Sequence, residues 1–355
     1  MSSCLCRCDA GCRADNEAEK SWLTMKTAEI KELLAGAGVY RSAIAEVSPV
    51  DAAAVEAYRA WIASGMHGSM TYLEKYDDLR SDPRLLLEGA RSVVSCAFNY
   101  FWGGNGGCCG EHPYKEMDGK LVWAEYALGD DYHDVVRARL SAVAQTITER
   151  TGAECRVCVD TAPLRERYWA VKSGLGFIGL NNQLIIPGAG SRFFLGEILT
   201  TLNLEPDRQS GPVSCEGCGK CVAACPGKAL RADGDGRVRL DARRCLSYLT
   251  IELRGELPED VRLGRHIYGC DECQRVCPHN RMSPLSEIEE LRPRKEILEL
   301  SAQRIAEMSQ EEFSAIFRRS AIKRAKLAGL QRNALRIIEE TTGRRRSRED
   351  GGREE

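Results

Sequence analysis

Cys215-Glu-Gly-Cys218-Gly-Lys-Cys221-Val-Ala-Ala-Cys225-Pro226 opens the stretch that decides the fold, and Cys270-Asp-Glu-Cys273-Gln-Arg-Val-Cys277-Pro278 closes it, with Cys245 alone between them. Eight thiols are what two cubane 4Fe-4S clusters need, because each iron takes one external ligand and thiolate sulfur suits that soft metal. Three cysteines spaced by two residues wrap one corner of a cube, while the fourth, followed by Pro, points away to the other cluster. The spacing therefore predicts Cys215, Cys218, Cys221 and Cys277 on one cluster, and Cys225, Cys245, Cys270 and Cys273 on the other. Gly217, Gly219, Ala223 and Ala224 let the backbone approach inorganic sulfide. A structural zinc pair also uses CxxC, but zinc calls for two spaced pairs and not a triplet followed by Cys-Pro.

The chain around this stretch has 355 residues, enough for two or three domains, with 43% hydrophobic and 29% charged residues. No apolar run approaches the ~18 residues of a membrane span, and the N-terminus has polar and acidic residues where a secretory signal needs an apolar core. Of the 17 cysteines, eight are taken as ligands, which points to a reducing, cytoplasmic compartment. The net charge is −2, yet the region from Arg318 to Arg336 is rich in Lys and Arg and holds no acid. Such a surface suits phosphate, and the plain alternative is a solvated helix face.

Residues 1–24, with Cys4, Cys6, Cys8 and Cys12, form a polar stretch without periodicity and are expected to be disordered, Met25 being the more natural start. Helices are predicted from Lys26 to Leu34, Val55 to Ser64 and Tyr132 to Arg150, the last with Val135, Val136, Leu140, Val143 and Ile147 on one face and Asp130 or Asp131 as cap. Ser92–Phe98, Cys155–Val159, Gln183–Ile186 and Phe193–Leu202 read as short buried strands. Cys96, Cys155 and Cys158 are then core residues, and Cys108-Cys109 in a Gly-rich loop have no assigned role.

Asp160 stands at the end of a strand, in Val159-Asp160-Thr161-Ala162-Pro163, before a helix expected to begin at Pro163. The end of a strand is where α/β sheets place chemistry; the plain alternative is a helix cap. Gly174, Gly176 and Gly179 follow in a GxGxxG-like run that ends a helix instead of opening one, which argues against a dinucleotide site.

Taken together, the ordered motifs RSDPRLLL from Arg80, LGDDYHD from Leu128, VDTAP from Val159, the eight cysteines, CLSYLTIE from Cys245, YGCDECQRVCPHN from Tyr268 and KRAKLAGLQRNAL from Lys323 resemble the epoxyqueuosine reductase family, over roughly residues 26–338. The resemblance implies an α+β protein. A nitroreductase-like cobalamin-binding catalytic domain spans 25–205, a ferredoxin-like two-cluster domain 206–283 and a basic helical, HEAT-like region 284–340, with a disordered tail over 341–355. It implies base-off cobalamin, Asp160 as proton donor, and corrinoid contacts from Arg80, Asp160, Leu184, Leu195, Ser247, Asp271 and Glu272. It further implies a tRNA substrate held by Lys323, Arg324, Lys326 and Arg332, a flavodoxin or ferredoxin as electron donor, and a monomer. An acid at Asp160 is expected to have a raised pKa. The resemblance also implies that longer members continue past the basic helix with HEAT-like repeats, and that the leading cysteines are not a family feature. The rival readings are a cobalamin-dependent reductive dehalogenase and a plain electron-transfer ferredoxin fused to an inert domain.

Overall fold

The computed structural model describes residues 25–103, 120–207, 214–232 and 237–350. Cys4, Cys6, Cys8, Cys12, Cys108 and Cys109 lie outside them. The strands are β1 (Arg41–Glu46), β2 (Ser92–Asn99), β3 (Val122–Trp123), β4 (Cys155–Cys158), β5 (Phe177–Ile178), β6 (Leu184–Ile185), β7 (Phe193–Thr200), β8 (Leu230–Ala232), β9 (Val238–Leu240) and β10 (His266–Tyr268).

Four of them form the main sheet in the order β1-β2-β7-β4, with every pair antiparallel. All eight residues of β2 are buried, Ser92, Ser95 and Asn99 among them, because both faces of this sheet are covered. On one face the helix Tyr132–Thr151 lays Val136, Leu140 and Ile147 onto Val94, Phe98 and Ile198. Contact there is close enough to require glycine at 196, since an added Cβ would come within 2.7 Å of Leu140 and 2.9 Å of Val136. On the other face Trp169, from the helix Glu166–Lys172, packs with Val93, Cys158 and Leu199. Cys155 and Cys158 thus point to opposite faces, as alternation along a strand requires.

The helix expected at Pro163 begins three positions later, at Glu166. The chain uses 160–165 as a connecting loop, in which Asp160 itself adopts φ +45°.

A second core joins the cysteine-rich segment to the C-terminal helices. Tyr248, Leu249 and Ile267 are buried with Ile305, Phe313, Leu330 and Ile337, so the boundary expected at 283/284 is no break in packing. Leu121 and Trp123 belong to the same core, and β3 pairs in parallel with β10, which fastens the main-sheet region to the cysteine-rich one. The last helix, Lys326–Asp350, is held at its start by Asn333, whose amide donates to the carbonyls of Thr250 and Ile267, each at 2.9 Å. That helix runs well into the stretch expected to be a disordered tail.

Candidate functional site

The cysteines come together as two quartets around two separate cavities. Cys215, Cys218, Cys221 and Cys277 line a small pocket with Gly179, Leu180 and His279. Gly217 and Gly219 both have positive φ, near +69°, which lets the loop turn tightly between the thiols. Cys218 is exposed, so this pocket sits at the surface. Cys225, Cys245, Cys270 and Cys273 line a larger cleft of about 440 Å³. All eight are free thiols, and burial pushes Cys273 up to about 12.

The same large cleft receives Asp160, together with Leu184, Leu195, Ser247, Asp271 and Glu272. Its apolar wall is built from Phe193, Phe194 and Leu195 of β7 and Leu184 of β6, with Tyr100, Tyr126 and Tyr132 beside them. Tyr132 stacks on Phe194 with centroids 4.3 Å apart and ring planes within 4°. Arg80 is not part of this lining: it sits on the short helix Asp77–Ser81 and donates to the Lys75 carbonyl at 3.2 Å. Asp271 turns a carboxylate oxygen to the Glu125 amide at 2.7 Å, and Glu272 accepts from Arg275 at 2.6 Å. Their side chains therefore hold the wall in place.

Asp160 is held by polar neighbours on both its side chain and its backbone. Its Oδ2 lies 3.0 Å from His133 Nε2, and its backbone N–H donates to Glu166 at 2.5 Å. The other imidazole nitrogen, Nδ1, lies 2.7 Å from Asp131, which also caps the helix by accepting the His133 N–H. Burial acts to raise the Asp160 pKa, but the hydrogen bond and charge of His133, the Tyr132 hydroxyl and Arg167 outweigh it and hold the carboxyl below its ordinary range. The raised pKa expected from the sequence rests on burial against a corrinoid; in the polypeptide by itself the donors and the cation around Asp160 pull its pKa down. Burial works to lower His133, yet its two carboxylate partners lift it to about 9. Burial and the nearby Asp160 charge bring Glu166 to about 8. Nothing in the sequence singled out His133 or Glu166, although the LGDDYHD motif contains the histidine.

On the C-terminal face Lys323, Arg324 and Lys326 are exposed. Arg324 is paired with Glu252 at 2.6 Å and lies over the Tyr72 ring. Arg332 is corrected as an RNA contact: its guanidinium donates inward to the carbonyls of Leu249, Leu253 and Gly255. Those acceptors lie at and beyond the end of the helix Leu246–Ile251, where carbonyls lack helical partners.

A cleft that joins one cysteine quartet to an acid–histidine pair, next to a second quartet open to solvent, defines an iron–sulfur oxidoreductase. Residues 214–280 match the model described as "4Fe-4S double cluster binding domain", and residues 80–161 match "Epoxyqueuosine reductase QueG, DUF1730". The epoxyqueuosine reductase of Cyclobacterium marinum is 41% identical over 279 residues, covering 77% of this chain and 84% of that protein. A crystal structure of epoxyqueuosine reductase with an epoxyqueuosine-modified tRNA-Tyr stem loop superposes with TM-score 0.77 at 26% identity, covering 88% of this chain and 80% of the other. A Bacillus subtilis structure, with its catalytic Asp loop swung out of the active site, gives 0.76 at 25% identity over the same shares. The chain belongs to the epoxyqueuosine reductase family.

Proposed function

We propose that this protein reduces epoxyqueuosine to queuosine at the wobble position of tRNA, the last step in making that nucleoside. Two 4Fe-4S clusters and a cobalamin in the large cleft would supply the single electrons and the cobalt chemistry, and Asp160 delivers a proton. The observation that carries this reading is the cleft itself, which gathers Cys225, Cys245, Cys270 and Cys273 with Asp160 in one space.

Both quartets suit cubane clusters: four free thiols converge on each cavity. We assign Cys215, Cys218, Cys221 and Cys277 to the outer cluster, which the exposed Cys218 opens to a donor such as a flavodoxin or ferredoxin. Cys225, Cys245, Cys270 and Cys273 then hold the inner one. The apolar lining from Phe193, Phe194, Leu184 and Leu195 and the polar groups of Asn181, Gln183 and Ser247 suit a large macrocycle with amide arms. Leu184, Leu195, Ser247, Asp271 and Glu272 would hold the corrinoid, while Arg80 stands outside that lining. Bound there, cobalamin supplies a cobalt centre able to react at carbon.

The residues of the chain do the rest. Asp160, at the mouth of a loop pinned by Glu166, presents its carboxyl to the cleft and hands a proton to the departing oxygen. The wobble nucleoside has to leave the anticodon stack to reach this depth. Lys323, Arg324 and Lys326 offer an exposed cationic surface for tRNA phosphates. In this reading 25–205 is the catalytic domain, 206–283 the cluster domain and 284–340 the RNA-facing region of a cytoplasmic monomer.

Anaerobic reconstitution with iron, sulfide and cobalamin, followed by assay on epoxyqueuosine-containing tRNA with a strong reductant, tests the reading. Conversion to queuosine, with a base-off corrinoid spectrum, is expected. Corrinoid uptake without conversion of that tRNA overturns the substrate, and refusal of the corrinoid overturns the cofactor.

A further inference from the structure

Removing an epoxide oxygen to leave an alkene breaks two C–O bonds and forms one C=C bond. The oxygen departs as water, so each turnover consumes two electrons, supplied by the external reductant through the clusters, and two protons. One carboxyl carries one proton, and the nearest further proton carrier to Asp160 is His133, whose Nε2 lies 3.0 Å from Asp160 Oδ2. The proton lies one bond away.

We propose that the Asp131–His133 pair is the proton store of the reaction, passing protons through His133 Nε2 to Asp160 Oδ2 so that both leave by the same carboxyl. The inference rests on Asp160 being the acid. His133 bridges the two carboxylates, with Nδ1 2.7 Å from Asp131 and Nε2 3.0 Å from Asp160. With both carboxylates ionised, the two contacts are satisfied by an imidazolium that donates from each nitrogen; with Asp160 protonated, its O–H donates to Nε2 of a neutral ring, so the same geometry accommodates the proton at either end. The ring is fixed by stacking on Tyr132, with centroids 4.1 Å apart, and Tyr132 in turn stacks on Phe194 in the cleft wall. Asp131 is fixed as the helix cap. After Asp160 gives up a proton, or receives one from His133, the pair recharges from solvent through the partly exposed imidazole. His133 is thus a positioning and proton-holding residue that acts through Asp160.

The titratable groups facing this pair are Asp131 and Tyr132 on its own helix, Asp160 on the loop, Glu166 and Arg167 on the helix behind it, and Tyr126 on the cleft wall. His133 and Glu166 both titrate in the mildly alkaline range, so the test has to separate them.

The experiment is the pH dependence of kcat for the reconstituted holoenzyme on epoxyqueuosine-containing tRNA. Wild type should lose activity on an alkaline limb. His133→Gln, which keeps a hydrogen-bonding side chain but cannot hold the proton, should lower kcat about 10²-fold with little change in KM, abolish that limb and respond to added imidazole. Asp131→Asn should move the limb to lower pH, and it serves as the second variant if His133→Gln does not fold. A limb that survives in His133→Gln and vanishes in Glu166→Gln assigns the proton to Glu166 and overturns the proposal. So does a His133→Gln enzyme with wild-type kcat. Wild-type turnover by Asp160→Asn removes the acid on which the proposal rests, an outcome that no His133 variant can mimic.

Discussion

Arg192 donates from Nε to Glu125 Oε2 at 2.8 Å, with the two side chains only 7% and 10% exposed. Arg192 also reaches the Asn280 carbonyl and covers the Phe101 ring, while the Glu125 amide donates to Asp271. One ion pair therefore fastens the approach to β7, the segment after β3 and the cluster-binding segment around the cleft.

Replacing Arg192 with Met takes from buried Glu125 the cation 2.8 Å from its carboxylate. The expected loss is about 3–5 kcal/mol, because breaking a buried pair costs more than the intact pair contributes. Adding Glu125→Gln to Arg192→Met should recover part of it. Urea unfolding midpoints of the single and double variants check this; equal midpoints for wild type and Arg192→Met would contradict the role.

The two quartets make a clear prediction for metal content. Cys218→Ser should cost the outer cluster and Cys273→Ser the inner one, each lowering bound iron and sulfide by about half, as each cube uses four thiolates. Chemical iron analysis and EPR of the reduced proteins read the outcome. If Cys218→Ser loses both clusters while its fold is intact by circular dichroism, the quartets are not independent.

Glu197 lies in the middle of β7, wholly buried, with neither carboxylate oxygen hydrogen-bonded. Burial, and then the Glu166 charge, raise its pKa well above the ordinary value. A folded pKa above the unfolded one means that the native state binds more protons between the two values. Stability is fully present below the unfolded pKa and declines as pH rises through the folded one. Glu197→Gln should flatten that decline, seen as a shallower fall of Tm with pH above the usual carboxylate range. An unchanged slope would place the titration elsewhere.

Lys323 and Lys326 are exposed, whereas Arg332 is turned to backbone carbonyls, so the two kinds of substitution should separate. Lys323→Glu with Lys326→Glu should weaken tRNA binding and make its logarithmic salt slope shallower by about 0.9 for each phosphate that is no longer neutralised. Arg332→Ala should instead lower thermal stability and leave the salt slope in place. Filter binding across a salt series, beside Tm, distinguishes them; a salt slope that falls only in Arg332→Ala would reverse the assignment.

Much of the fold was legible because its signals are local. The short segment with Val93, Val94, Cys96, Ala97 and Phe98 marks β2 as a buried strand, and the one-sided spacing of Val135, Val136, Leu140, Val143 and Ile147 marks the helix that covers it. The helix after Asp160 was placed too early because Pro163 favours a first helical turn, while the loop needs those residues to bring Asp160 round at φ +45° and to meet Glu166. The inward turn of Arg332 has no local signal, since a basic residue on a basic helix reads the same whether it meets water or carbonyls.

By itself the sequence determined the chemistry available: eight thiols at spacings that suit two cubes, an aspartate at a strand end and a basic C-terminal surface. These follow from residue type and separation along the chain, which covalent geometry transmits directly. Tertiary structure alone decided that one quartet shares a cleft with Asp160 while the other faces solvent, and that Asp131 and His133 stand behind that aspartate. Protonation state belongs to the second group, because it depends on which charges and donors packing brings within a few ångströms, and those come from segments far apart in the chain.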